Sequence, residues 1–385
     1  MRRVDDMNVQ LARYLARFDE LPGYVDFARV GPVSHDVAMT LVEAARLSRG
    51  EQVVEVLSAR AEAVRAGAAL FLGAAPHEVG FATSTSHALF ATAAAFRPGT
   101  TGEGGNEGVV LVRRGEFPAN VYPWLRFQDR GGLRVRWIDT PRVTPENVAA
   151  HLTPDVRALT VSAVDALTGH RPPLGALKEV LGPDRVLVVD AIQGLGAVPL
   201  ELEAADVLAS GGQKWLRAGW GAALLLVRDR VAHLMFPGLG GWPGVRDPLA
   251  ADDHPREPLD GADAHAMTNP DYPAVSSLGT ALDLVTAVGV EAIAARIADT
   301  LGALLDTARA AGAEIPHDEL IPAERGGIAC LRLPGHDPVD VHAALARVGL
   351  TTTLRGRWIR LSPHATTPSQ AVDRLAEGLR IARRP

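Results

Sequence analysis

The sequence predicts an α/β protein with a large, mostly parallel sheet domain followed by a smaller C-terminal α+β domain. Three observations predict it. At 385 residues the chain is longer than one ordinary core organises. Short, almost wholly apolar runs alternate with helical stretches. A Gly-, Pro- and Asp-rich passage from Phe236 to Pro273, unable to hold long regular elements, then interrupts the alternation.

Residues 36 to 74 carry helical periodicity, with Val37, Leu41, Ala44 and Leu47 leading into an alanine-rich stretch that ends near Leu72. Next comes VGFAT, ahead of a helix from about Ser86, and GVVLVRR, ahead of the segment from Asn120. ALTVSAV, RVLVVD, DVLAS and AALLLVR follow. Runs so apolar belong to strands covered on both faces, in a parallel sheet whose chemistry lies at the strand ends. Beyond the interruption, VSSLGTALDLVTAVGVEAIAARIADTLGALLDTARAAG reads as a long helical stretch broken around Gly289. The strands GIACLRL and RWIRLSP and a final helix from Pro368 complete the smaller domain. The expected boundaries are an N-terminal segment 1–20, a large domain 21–245 and a small domain 246–385, with 246–270 as border region.

Composition narrows the function. Hydrophobic and charged contents of 47% and 22% are those of a soluble globular protein. A formal net charge of -6 with no basic run argues against nucleic acid as a partner. No apolar segment approaches the ~18 residues a membrane span needs, and MRRVDDMNVQ has no apolar stretch behind its arginines, so a cytoplasmic protein without membrane contact is expected. The single cysteine, Cys330, excludes an internal disulfide and a thiolate metal site, and no metal is expected.

The 39 basic residues include two lysines, Lys178 and Lys214. Where arginine serves every other cationic position, a retained lysine points to an amine that must lose its proton. Lys178, in PLGALKEVLG, reads as an exposed helical turn. Lys214, in SGGQKW, follows the strand DVLAS, and Asp190 ends the strand RVLVVD. Neighbouring strand ends would bring carboxylate and amine into one crevice. That is the geometry for pyridoxal 5'-phosphate (PLP): a carboxylate for the pyridine nitrogen and an amine for the aldehyde. Burial would lower the lysine pKa and free it as nucleophile and base.

The segment VDAIQGLGAVPLELEAADVLASGGQKWLRAGWGAALLLVR resembles the cofactor core of the class V aminotransferase family, which includes cysteine desulfurases, selenocysteine lyases, kynureninases and isopenicillin N epimerase-like proteins. The resemblance extends from about residue 20 to 380 and implies a fold-type-I PLP-dependent transferase fold. It implies that Asp190 pairs with the pyridine nitrogen, Gln193 contacts the ring hydroxyl and Lys214 is the Schiff-base lysine. Gln213 stands where the family often has histidine, and Gly211 where it has a serine. VGFATSTSHALF matches the phosphate-binding turn, assigning Thr85 and Ser86 to the phosphate; free amides at a helix start suit an anion. RRGEFPANVYPWL places Phe117 at the ring stacked on the cofactor and Asn120 toward the substrate. GLGGWPG and MTNPDYP match segments that reach the neighbouring subunit's phosphate in a homodimer, giving Trp242 and Asn269. TTTLRGRWIRLSPH assigns Arg360, with Arg355 and Arg357 as competitors, to the carboxylate of an amino-acid substrate.

The reaction stays open between four readings. The first is a lyase acting on a small amino acid, with Lys214 removing the Cα proton and a Cβ group, sulfur-linked, leaving. Cys330 reads as a packed strand residue, which excludes a standard desulfurase. The second is an aminotransferase. The third is an epimerase, needing another acid or base for which Tyr122, His87 and Asp165 are the candidates. A noncatalytic binding protein on the same scaffold is the fourth. No GxGxxG follows the first strand, which excludes a nicotinamide-dependent dehydrogenase.

Overall fold

The computed structural model describes residues 2–96, 108–250, 252 and 254–383. Seven strands form the large sheet: β1 (Val79–Ala82), β2 (Val109–Arg113), β3 (Arg134–Ile138), β4 (Val156–Ser162), β5 (Val186–Asp190), β6 (Val207–Gly211) and β7 (Ala223–Val227). Their order is β1-β7-β6-β5-β4-β2-β3, with parallel pairing from β3 through β6 and β7 antiparallel to both its neighbours. β5, β6 and β7 are buried along their whole length, as their unbroken apolar sequences require. Edge strand β3 escaped the sequence reading. Its Arg134 is exposed, Arg136 ion-pairs with Asp155, and those charges interrupt the apolar run that marks the interior strands.

The helical stretch 36–74 is two helices, His35–Leu47 and Val53–Leu72. Ser34 caps the first by accepting from the Val37 N–H, and the break contains Gly50 and a left-handed Gln52 (φ 55°). Helix Tyr272–Val288 packs on both and is followed, after Gly289 (φ 83°), by helix Val290–Ala310 at 82° to it. The first of this pair and residues Ala292 to Ile297 belong to the large-sheet core, whereas Leu301 to Ala308 belong to a second core. The core therefore changes inside this helix rather than at residue 246. The second core covers β8 (Ala329–Leu331), β9 (Thr353–Arg355) and β10 (Trp358–Leu361), an antiparallel sheet of order β8-β10-β9. Among the described residues no single helix is long and apolar enough to cross a membrane.

Residues 24 to 31 bind the two halves together. Tyr24 and Asp26 bridge in parallel to Thr351 and Ser362 of the small domain, while the Gly31 N–H donates to the Gln213 carbonyl beside Lys214. Arg217, on the same loop as Lys214, is buried with a left-handed backbone (φ 62°). Its guanidinium pairs with Glu20, donates to Thr366 and the Pro32 carbonyl, and lies 3.7 Å from the Phe18 ring centroid. Lys178 departs from the exposed turn expected of it. Its Nζ is 2.7 Å from the buried Asp206 carboxylate and 2.9 Å from the Arg185 carbonyl oxygen.

Replacing Arg217 by alanine leaves Glu20 buried without its cation. The expected loss is about 3–5 kcal/mol of unfolding free energy, read from urea denaturation of Arg217→Ala against wild type.

Candidate active site

Adjacent parallel strands deliver the two central groups. Asp190 closes β5, Lys214 lies just beyond β6, and both line one cavity of about 300 Å³. Asp190 is 2% exposed and its Oδ1 accepts from the Ile192 N–H at 3.1 Å. Burial raises its pKa to about 6, against the opposing effects of that N–H and of Lys214. Burial lowers the pKa of Lys214 to about 8; Asp190 opposes the shift, and Arg360 and Arg355 reinforce it. The cavity thus holds a carboxylate and an amine displaced toward each other.

The phosphate-type turn lies on another wall. Ser84 caps helix Thr85–Ala94 by accepting from the His87 N–H at 3.1 Å, and Ser84, Thr85 and Ser86 all line the cavity. Thr85 Oγ1 accepts from the Gly211 N–H at 2.8 Å, tying the helix start to the end of β6. A Cβ on Gly211 would fall 2.3 Å from Gln213 Oε1 and 3.1 Å from Thr85 Oγ1. The two departures from the family pattern are therefore one arrangement: Gln213 occupies the space that a side chain at 211 would need.

Phe117 lies with its ring centroid 5.6 Å from Lys214 Nζ and is partly open to solvent. Its N–H donates to Glu116 Oε1, and that buried carboxylate also accepts from the Ser162 hydroxyl and N–H at the end of β4. Gln193 is held on both sides, its Nε2 donating to the Ala28 carbonyl and its Oε1 accepting from the Trp215 indole, each at 2.9 Å. One amide N–H is left for a ligand. Arg360 and Arg355 reach the cavity from β10 and β9. Arg360 is buried, with Nη2 3.3 Å from Asp26 Oδ1 and Nη1 donating to the Ala166 carbonyl.

Three expected positions stand outside this cavity. Asn120 is fully buried because the turn Pro118–Asn120 directs it under the loop, where its Oδ1 accepts from Thr160 Oγ1; it does not line the cavity. Trp242 and Asn269 are exposed and do not line the cavity of their own chain. Nor do Tyr122, His87 or Asp165: Tyr122 lies under Arg126, His87 Nδ1 bonds Thr83, and Asp165 pairs with Arg113. Among the described residues the titratable groups lining the cavity are Asp190, Lys214, Arg29, Arg355 and Arg360, and none of the three candidate second bases is among them. Arg29, Ser84 and Trp220 line the cavity and were not identified in advance. Ser84 was legible as an N-cap, whereas nothing in the sequence marks Arg29 or Trp220.

The model of aminotransferase class V matches residues 39–381. The chain belongs to that family. It is 28% identical over 346 residues to a cysteine desulfurase of Dickeya dadantii, covering 85% of this chain and 78% of that one. Its fold matches the cysteine desulfurase CsdA of Escherichia coli with a TM-score of 0.81 at 20% identity, over 97% and 98% of the two chains. A cystine C–S lyase solved with cysteine persulfide gives a TM-score of 0.81 at 16% identity, over 92% and 96%. As a class V aminotransferase family member the chain is a PLP enzyme acting on an amino acid. The residues present fit that cofactor: a buried carboxylate, a depressed amine, an aromatic ring and a hydroxyl-lined helix start share one cavity.

Only the neutral amine reacts with electrophiles. Acylation of Lys214 in the cofactor-free protein, followed by mass spectrometry, is expected to rise with pH through about 8 instead of the ordinary 10.5. Asp190→Asn removes the charge that holds the ammonium form and is expected to move this midpoint lower.

Proposed function

We propose that the protein is a PLP-dependent lyase that eliminates a sulfur-linked Cβ substituent from a small amino acid without an enzyme thiol. The observation that carries this reading is the placement of Lys214, its pKa lowered to about 8, in one cavity with Asp190, Phe117 and Arg360, while the chain's cysteine is buried in β8 and does not line that cavity. When bound, PLP supplies an electron sink for charge developing at Cα. The chain's own groups do the rest. Asp190, buried at the end of β5, would hold a proton on the pyridine nitrogen. Ser84, Thr85 and Ser86 with the free amides behind them hold the phosphate. Phe117 would cover the ring, Gln193 and Gln213 line the cavity where they could contact it, and Lys214 would take the Cα proton. Arg360, fixed by Asp26 and Ala166, receives the α-carboxylate.

Cys330 supports the thiol-free route. It is fully buried in β8, its Sγ donates to the Leu167 carbonyl, and burial raises its pKa to about 12. A thiol so protonated and enclosed is no sulfur acceptor. In this reading the chain passes no sulfur to a cysteine of its own, and the substituent leaves directly as sulfide or thiol. The exposure of Trp242 and Asn269 suits contact with the phosphate of a second subunit in a homodimer. A cytoplasmic location is part of the same reading.

Incubation of the PLP-loaded enzyme with cysteine and S-alkyl cysteines is expected to release pyruvate and ammonia, with sulfide from the first and thiol from the second, and to need no keto-acid acceptor. A strict need for an acceptor, with an amino acid returned, would establish transamination instead. Lys214→Ala is expected to lose at least about 10³-fold in rate. Cys330→Ala is expected to keep its activity, whereas abolition of turnover in that variant with its fold intact would restore the desulfurase route.

A further inference from the structure

The cavity carries more positive charge than a simple amino acid uses. Arg29, Arg355 and Arg360 line it beside Lys214, against one lining carboxylate, Asp190. Asp26 faces Arg360 from behind. The guanidinium groups of Arg29 and Arg355 have no hydrogen-bond or ion-pair partner among the described residues, and both residues are exposed.

Their placement separates them from the phosphate wall. Ser84 to Ser86 and Gln213 sit at the carboxyl edge of the large sheet. Arg355 and Arg360 come from β9 and β10 of the small sheet, paired in register with Thr353 opposite Arg360. Arg29 comes from the segment whose Tyr24 and Asp26 bridge to Thr351 and Ser362 of that same domain. All three arginines therefore enter the cavity from the small sheet or from the segment bonded to it. One α-carboxylate accepts one guanidinium fork, which leaves two uncompensated cations at the solvent side of the substrate space.

We infer that the substrate is an α-amino acid whose side chain ends in a second carboxylate, held by Arg29 and Arg355 while Arg360 takes the α-carboxylate. This rests on the amino-acid reading of the site and names the substrate class. Exposed arginines on a cavity wall are hydrated until a ligand replaces the water, and a carboxylate supplies the planar pair of acceptors that match them. An amide of equal size supplies one acceptor and no charge. It also sets its N–H₂ against cations, which is the basis of the discrimination.

The test is isothermal titration calorimetry of the PLP-loaded enzyme with two matched pairs: L-glutamate and L-glutamine, and S-carboxymethyl-L-cysteine and S-carbamoylmethyl-L-cysteine. Binding heat reports on the site whether or not elimination follows. The acid of each pair is expected to bind at least about tenfold more tightly than its amide. Arg29→Gln and Arg355→Gln, both at exposed positions, are expected to bring that ratio close to one. Arg357→Gln, whose guanidinium lies over the Trp358 ring and outside the cavity, is expected to keep it. Equal affinity for acid and amide in the wild type would overturn the inference and leave the lyase reading standing, as would retention of the preference in both cavity variants. Failure of both acids to bind would overturn the inference, and the cysteine assay above would then decide the lyase reading on its own.

Discussion

Desolvation of two ionisable groups at neighbouring strand ends is the constraint on which this structure depends. In water, Lys214 would be a permanent cation and Asp190 a strong anion, and neither could exchange a proton near neutral pH. Burial moves them in opposite directions, to about 8 and about 6, and each limits the displacement of the other. The architecture serves that desolvation. β5 and β6 are buried from end to end, helix Thr85–Ala94 closes one side, and the Gln193–Trp215 hydrogen bond fills the space behind the lysine loop. A sheet with one wet face would give the same topology without the chemistry.

The second requirement is that the substrate-binding arginines stay in register with a lysine carried by another domain. Residues 24 to 31 satisfy it by bonding to both. Their backbone adds to the small domain at Thr351 and Ser362, and Gly31 bonds to Gln213, immediately before Lys214. A Cβ on Gly31 would lie 2.1 Å from the Lys214 carbonyl oxygen, so this contact demands glycine. The buried Arg217–Glu20 pair anchors the start of the same segment. Displacement of the strap would shift Asp26, and with it Arg360, relative to the amine. Domain orientation and substrate orientation are thus set by the same backbone hydrogen bonds.

What the sequence made legible follows from how locally each feature is encoded. Asp190 and Lys214 could be read because each follows an uninterrupted apolar run, and parallel pairing of successive strands then places their ends together. The break at Gly289 and the cap at Ser84 are equally local. Motif position says nothing of rotation at Asn120: the turn at Pro118 directs it to Thr160 under the loop. Gly211 and Gln213 looked like two independent departures, and only their shared volume shows that they are one. Arg29 and Trp220 carry no motif. Trp220 reaches the cavity because the left-handed glycines at 219 and 221 hold its loop, which composition cannot reveal.

The two lysines of the chain make the same point about residue choice. Lys214 is needed as an amine that can be neutral. Lys178 is needed for its compactness: its ammonium sits between the Arg185 carbonyl and Asp206 Oδ2, while Arg230 Nε takes the other oxygen of that buried carboxylate at 2.6 Å. A planar guanidinium with five donors would enter a space already holding Arg230 and leave N–H groups unpaired beside the sheet. Scarcity of lysine therefore marks positions where arginine is chemically or sterically unsuitable, and only the surroundings tell the two cases apart. At Lys178 a fully buried carboxylate neutralises the cation and fixes it. At Lys214 the carboxylate that most favours the charge, Asp190, is itself desolvated, and two arginines push against the charge. That imbalance is what makes one lysine structural and the other reactive.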